Sequence, residues 1–303
     1  MDWQHRMTAA LDYLEAQLRG EIDVDEAARR AVCSTFHFYR MFEVILGMTP
    51  GEYVRRRRLS CAALDLTSGP EKVINLAVKY GYDSPDAFTR AFKREFQCLP
   101  TEARLPGARL HSFPPLTFTL VLHGDRPLEY RLEEEPAFAL TGVGIDVNCN
   151  DGSNFREIPL FWDRVMRAQT FGQLVSKARP GVIGVCGVCH HHTPDGGLSY
   201  TIAIETPDQR DGLPPATRDV AVPASLWAKF TSRGPISQAF QPTVRRVFAE
   251  WMPSSGREHA GTPELEIYPP GATEGSDYVS EYWVPLKPVA AGWPQSRYRV
   301  DGT

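Results

Sequence analysis

Three groups of side chains in this 303-residue chain have the types and spacing for chemistry. The first centres on Glu281, which stands with Tyr278, Tyr282 and Trp283. A carboxylate in aromatic company is costly to bury unless something neutralises it. A ligand cation would do so, and the aromatic faces would add cation–π attraction. Trp227, Phe230, Tyr268 and Trp283 are flat side chains on strand-like runs, suited to a groove for an aromatic ligand, with Trp162 of the first half a further candidate. Aromatics at strand spacing also build ordinary cores, so both readings stay open. The second group is Thr35, Phe36, His37, Tyr39 and Arg40, with Pro85, Asp86, Thr89, Arg90, Lys93 and Arg94 farther on. These donors and cations can read base edges and hold phosphates, and a solvated helix face is the alternative. The third is Cys186-Gly-Val-Cys189-His190, followed by His191 and His192, which fits covalent haem attachment or a metal. Such haem needs export, a structural zinc needs four ligands, and the run alternates like a strand. The expectation here is a structural strand with no cofactor and no metal.

The second group sits inside an internal repeat of about 50 residues. Ala28, Val32, Ser34, Phe38, Arg40 and Phe42 recur as Ala77, Gly81, Ser84, Phe88, Arg90 and Phe92. Each copy reads as a short helix, a tight turn and a second helix. Asp23 with Glu26 and Thr49 with Glu52 predict capping boxes, Ser34 and Ser84 predict N-caps, and Pro50 and Pro85 fit the first helical position. Phe38, Met41, Phe42 and Ile45, and then Phe88, Ala91, Phe92 and Phe96, form one apolar stripe per copy. That leaves the hydrogen-bonding face of each second helix exposed. Between the copies a connector helix from Pro50 to Thr67 is about 26 Å long, enough to hold two recognition helices near one groove repeat apart. Met7, Ala10, Leu11, Leu14 and Leu18 predict a helix that packs on the first unit.

Past Pro106-Gly107 and Pro114-Pro115 the texture turns to short β-type runs. Strand (130–147), helix (155–171), strand (182–190) and strand (198–205) are followed by strand (217–222, continuing past Trp227 to Phe230), helix (238–251), strand (264–268) and strand (278–284). The fold class is therefore multidomain. An all-α double helix-turn-helix domain at 1–106 and a linker at 107–117 precede an α+β domain at 118–290, with a tail at 291–303. Duplicated strand-helix-strand-strand units around a central antiparallel sheet leave a groove between halves, a natural ligand site.

The net charge of −4 conceals an uneven distribution. Arg29 to Arg109 carries 14 Lys and Arg against 8 Asp and Glu, a basic segment suited to phosphate. No apolar run reaches the length of a membrane span, and the first residues lack a signal-peptide stretch. With six scattered cysteines, this leads us to expect reduced thiols and a cytoplasmic, nucleoid-associated location.

Ser34-Thr-Phe-His-Phe-Tyr-Arg-Met-Phe42, Gly47-Met-Thr-Pro-Gly-Glu-Tyr53, Arg58-Leu59, Tyr80-Gly-Tyr82 and Phe88-Thr-Arg-Ala-Phe-Lys93 together resemble the AraC/XylS DNA-binding domain. The resemblance covers residues 1–104 and implies DNA contacts at Phe36, Tyr39, Arg40, Asp86, Thr89 and Arg90. It departs at Val32, where a glycine is usual, which puts strain on the first turn.

Val222-Pro-Ala-Ser-Leu-Trp-Ala-Lys-Phe-Thr-Ser-Arg-Gly234, Trp251-Met-Pro-Ser-Ser-Gly256, Leu265-Glu-Ile-Tyr268 and Glu281-Tyr-Trp-Val-Pro285 resemble the GyrI-like effector-binding domain. That resemblance implies a small-molecule ligand, aromatic or cationic, and places a buried ligand-facing glutamate at Glu281, with Glu266 serving the sheet itself. It also implies a rival reading as a hydrolase of reactive small molecules, with Glu281 and Tyr268 or Tyr282 as acid and base. A module that blocks another enzyme would leave the double helix-turn-helix unexplained. The expected function is a ligand-responsive transcription regulator, not an enzyme. Its partners would be double-stranded DNA, a small-molecule effector and RNA polymerase, with no membrane, acting as a monomer or homodimer.

Overall fold

The computed structural model describes residues 3–105, 107–117, 127–148, 153–179, 183–191, 193 and 197–288. The tail expected at 291–303, Cys149 and His192 lie outside them. Seven helices come first: α1 (Trp3–Ala16), α2 (Val24–Arg30), α3 (Thr35–Met41), α4 (Pro50–Ser68), α5 (Val73–Lys79), α6 (Pro85–Phe96) and α7 (Pro100–Ala103). α3 runs on into a π turn, Phe42–Leu46, which Gly47 closes at φ 66°. The side chains of Ser34, Thr49 and Ser84 cap α3, α4 and α6 by accepting the N–H of His37, Glu52 and Ala87. Asp23 caps α2, yet its predicted box does not close, since its own N–H donates to the Tyr13 hydroxyl. Glu26 turns to Arg29 and Arg30, because charged partners outbid a backbone N–H, and Glu52 holds Arg55 and Arg56.

The two turns of the repeat are superposable in their hydrogen bonds. Val32 N–H donates to Arg29 and Cys33 N–H to Ala28; Gly81 donates to Val78 and Tyr82 to Ala77. Both central residues are left-handed, Val32 at φ 54° and Gly81 at φ 73°. For a β-branched residue that conformation is strained. At Gly81 a side chain would also meet Arg58, whose guanidinium lies 2.9 Å from where a Cβ would stand. Arg58 is held there by the carbonyls of Leu18 and Gly20, and Arg57 is buried on Glu15. Half of the arginine run on α4 is therefore internal bracing.

Among the described residues the sheet has eight strands: β1 (Tyr130–Glu135), β2 (Phe138–Asn148), β3 (Val185–His190), β4 (Gly197–Glu205), β5 (Arg218–Val222), β6 (Ser225–Arg233), β7 (Glu264–Tyr268) and β8 (Val279–Leu286). Their order is β1-β6-β8-β7-β3-β4-β2-β5, with every pairing antiparallel. β2, α8 (Asn154–Arg167), β3 and β4 form one strand-helix-strand-strand unit, and β6, α10 (Ile236–Arg246), β7 and β8 form the other. α9 (Gln169–Val175) and α11 (Met252–Ser255) follow their respective helices, and α10 first passes through a π turn, Val247–Trp251. The stretches expected as continuous strands at 130–147 and 217–230 break at Pro136 and Pro223, which lack the N–H that a ladder needs. Each leading piece then crosses to the other unit: β1 pairs with β6, and β5 with β2.

Alternation along the strands gives the sheet two unlike faces. One carries the helices. Tyr200, Cys189, Glu264, Glu266, Tyr268, Phe230 and Tyr282 point to it. The other bears Leu140, Cys186, Val188, Trp227, Leu265, Ile267, Glu281 and Trp283. The second helix-turn-helix unit has its own core of Leu59, Leu66, Leu76, Phe88 and Phe92. The first does not. Met7, Leu11, Phe38 and Phe42 belong to one continuous cluster with Phe230, Phe240, Phe248, Tyr282 and Leu286 of the α+β domain.

Candidate nucleic-acid interface and effector cavity

α6 presents its polar face as the repeat predicts. Asp86, Arg90, Lys93 and Arg94 are exposed and Thr89 half-buried, while Phe88, Phe92 and Phe96 fill the core beneath. Arg90 and Lys93 thus stand on one exposed surface of a capped helix.

α3 differs, and the expectation of an exposed face over Thr35 to Arg40 is corrected. His37, Tyr39 and Arg40 are buried, and Thr35 and Phe36 are half-buried. Phe36, His37 and Arg40 are covered by the α+β domain. Arg40 Nε donates to Glu264 Oε2 at 2.8 Å, and its guanidinium reaches the Tyr282 hydroxyl at 3.4 Å and Glu43 at 3.5 Å. Phe36 stacks on His259 at 5.2 Å, and His37 lies between His259 and Phe248 at 5.3 and 5.6 Å. Thr35 donates to Asp25 at 2.5 Å. Burial works to raise the Glu264 carboxyl, but Arg40, His259 and Tyr282 hold it below the ordinary range. Burial, then His259, push His37 down to about 3.

The expected effector residues divide between the two sheet faces. Glu281 and Trp283 line a cavity of about 840 Å³ on the face without helices, together with Arg131, Phe138, Ile183, Ile267 and Tyr278. Its volume is that of a drug-sized ligand site. Trp227 is fully buried behind it, 6.0 Å from Trp283, and shapes the wall without reaching the cavity. Phe230, Tyr268 and Trp162 are on the opposite face and are corrected out of this site. Phe230 packs on Trp251, and Tyr268 on Trp162 and Phe240. One residue of parity decides this, because neighbours on a strand point to opposite faces.

Nor is Glu281 without a partner. Arg131 donates to its two oxygens at 2.6 and 3.1 Å, and Trp283 Nε1 donates at 2.7 Å. Burial opposes its charge, but these partners outweigh burial and hold the carboxyl below its usual value. The ring of Trp283 also has an internal cation: Lys229 Nζ lies 3.7 Å from its centroid and bonds Glu133 at 2.6 Å. Sequence reasoning missed Arg131 and Lys229. The alternation Arg131-x-Glu133-x-Glu135 was the available signal, since it puts charges on one side of an edge strand. Tyr268 and Tyr282 lie across the sheet from Glu281, which removes the acid–base pairing considered for a hydrolase.

On the helical face Tyr200 and Tyr268 donate to Glu266 Oε2 at 2.6 and 3.1 Å, and Trp162 Nε1 donates to the Tyr200 hydroxyl at 2.7 Å. Gly187 makes room, since a Cβ there would stand 2.1 Å from the Tyr200 hydroxyl. Burial raises the Glu266 carboxyl. Cys186 and Cys189, three residues apart on β3, face opposite sides of the sheet and cannot hold one ion together. Burial raises both thiols. Among the described residues no helix is long and apolar enough to cross a membrane.

Residues 128–287 match the GyrI-like small molecule binding domain. The chain belongs to the GyrI-like family. Ahead of that domain, residues 27–105 match a helix-turn-helix domain of AraC type. The GyrI-like chain is 27% identical over 274 residues to the transcriptional regulator Rob of Salmonella typhimurium, spanning 86% of this chain and 89% of that one. It is 28% identical over 277 residues to the right origin-binding protein of Escherichia coli, with the same coverage. Its first third is 30% identical over 104 residues to the regulatory protein SoxS of Salmonella typhimurium, covering 34% of this chain and 97% of that one. This GyrI-like protein is a DNA-binding transcription regulator that joins an AraC-type double helix-turn-helix to a small-molecule-binding domain.

Proposed function

We propose that the regulator reads an asymmetric operator of two boxes, with Asp86, Thr89, Arg90 and Lys93 of α6 in one major groove and Thr35, Phe36, His37, Tyr39 and Arg40 of α3 in the next. The effector is an amphipathic cation with an aromatic body, taken into the cavity beside Glu281. The cavity itself carries this reading: about 840 Å³ of space bounded by an ionised carboxylate, a tryptophan and apolar side chains. A ligand cation would take the Arg131 place on Glu281. Arg131 is part exposed and also bonds Glu133 at 2.9 Å, so it keeps a partner when displaced. The domain limits 1–106 and 118–290, a cytoplasmic nucleoid location, contact with RNA polymerase, action as monomer or homodimer and the absence of a catalytic role belong to the same proposal. Double-stranded DNA and the effector are then the partners.

Operator sites are to be selected from genomic fragments with the purified full-length chain at two salt concentrations, with and without a panel of cationic aromatic compounds. A selected site with a steep salt slope supports the regulator reading. Arg90→Ala is expected to lose about 1 to 3 kcal/mol of specific binding if Arg90 reads a base. Unchanged affinity removes Arg90 from the interface. Glu281→Gln should weaken binding of the cationic compound while DNA affinity without compound stays as it was. Equal compound affinity in both proteins takes Glu281 out of the site.

A further inference from the structure

The face of α3 that carries Phe36, His37, Tyr39 and Arg40 has two claimants. In the proposed DNA complex it lies in a major groove; in the structure Arg40 reaches Glu264 and Tyr282 of the sheet, and Phe36 and His37 lie on His259 and Phe248. A side chain cannot do both. Arg40 is the clearest case, for its Nε is 2.8 Å from a Glu264 that is itself fully buried, 224 residues away in the chain. The second oxygen of Glu264 faces His259 Nε2 at 3.1 Å. The Gly261 N–H donates to His259 Nδ1 at 2.8 Å, which puts the proton of a neutral ring on the nitrogen toward Glu264. Around this seat Phe36 and His37 stack on His259, and the π turns at Phe42–Leu46 and Val247–Trp251 meet. π turns recur at functional sites, and here one from each domain forms the contact.

We infer that this interface is a latch in which the effector domain occupies the reading face of α3, with Arg40 as the tethered cation of Glu264. The docked chain therefore reads DNA through α6 alone and engages the second box only after α3 leaves the sheet. The inference rests on the reading that α3 contacts bases. The alternatives are discrete because departure of Arg40 strands a buried carboxylate, which is costly until a proton, water or another cation reaches it. On the other side, Arg40 gains guanine or phosphate in exchange. By linkage, whatever favours the undocked form raises affinity for the α3 box by the same factor, and DNA carrying that box favours undocking in return.

The test uses the full-length chain and a site selected with the Glu264→Gln protein, compared with the same site carrying a scrambled α3 box. A Cβ built on Gly261 stands 3.3 Å from that of Ser34, close to the span of a disulfide, and since the φ of Gly261 is 79° the Gly261→Cys protein without a second cysteine serves as the control for backbone strain. Ser34→Cys with Gly261→Cys, in a Cys33→Ser background, should close the latch on oxidation. The oxidised protein is expected to bind intact and scrambled sites equally and to protect only the α6 box. Reduction should extend protection over the α3 box and raise affinity for the intact site at least tenfold. An oxidised, cross-linked protein that protects both boxes with the affinity of the reduced one overturns the latch. Glu264→Gln gives an independent check without a cross-link: its intact-to-scrambled affinity ratio should exceed that of the wild type, and an equal ratio counts against the inference. If neither the reduced protein nor Glu264→Gln protects an α3 box while the α6 box stays protected, α3 is not a reader, and the latch falls with that reading.

Discussion

Val32 shows how a single residue stores local strain for the sake of a turn. The two turns of the repeat make the same hydrogen bonds, but one uses glycine and the other a β-branched side chain at φ 54°. Left-handed backbone costs a non-glycine residue about 1 to 2 kcal/mol. Val32 is 49% exposed, so little packing is lost by removing its side chain. Val32→Gly gives back about 0.5 to 1 kcal/mol through unfolded-chain entropy. A net stabilisation of about 0.5 to 1 kcal/mol is expected, read as a higher midpoint in urea. A lower midpoint would mean that the Val32 side chain does more than the turn geometry shows. The same attention to single residues separates Glu281 from its neighbour Tyr282. Strand parity made that separation legible in the sequence, whereas the Arg131 partner on a strand 150 residues away was not.

At the level of elements, the contact of α3 with His259 and Phe248 of the α+β domain is expected to respond to pH. Burial and the adjacent His259 hold His37 at about 3, against an ordinary value of 6.5. Arg40 and Lys287 add to that depression, and Glu264 opposes it. The docked form therefore excludes a proton that an exposed His37 would accept. Its contribution to docking is complete above pH 6.5 and falls by about 1.4 kcal/mol per unit as the pH drops from there toward 3. Between pH 7.5 and 5.5 docking should weaken about tenfold. The equilibrium cross-linked fraction of the Ser34→Cys, Gly261→Cys chain in a thiol–disulfide buffer, where the pH dependence of thiolate reactivity cancels, should fall as the pH drops in the His37 protein and stay level in His37→Phe. A fall of equal size in both would assign the pH response to another group. Glu264 remains ionised across this window because its partners lower its carboxyl further.

At the scale of the molecule, the first helix-turn-helix unit is packed as part of the effector domain. Phe38 and Phe42 share one apolar cluster with Phe240, Phe248 and Tyr282, whereas the second unit encloses Phe88 and Phe92 on its own. A chain with an engineered protease site between residues 117 and 127 should, after cleavage, still elute as one particle at neutral pH. Separation of the halves on gel filtration would mean that the shared cluster and the Arg40–Glu264 pair do not suffice to hold them. The arrangement also gives the two recognition helices unequal standing. α6 is exposed and ready, and α3 is reached only through the state of the sheet. A connector helix read from sequence as a simple spacer therefore links an exposed helix to a covered one.

The helices of the repeat, their caps, the duplicated strand-helix-strand-strand order and the basic character of the first third were legible in the run of residues. Hydrogen bonding across three or four residues and apolar periodicity specify these locally. The breaks at Pro136 and Pro223 escape that reading, which runs both long strands through them as continuous although each proline lacks the N–H of a ladder. Only the tertiary structure decided that β1 and β5 change partners, that the face of Phe230 and Tyr268 bears helices while that of Glu281 bears a cavity, and that Arg40 meets Glu264. Alternation tells which residues share a face but not what will cover it. A pairing between side chains 224 residues apart leaves no periodic trace in either segment, because it is made by the packing of whole elements and not by the run of residues within one.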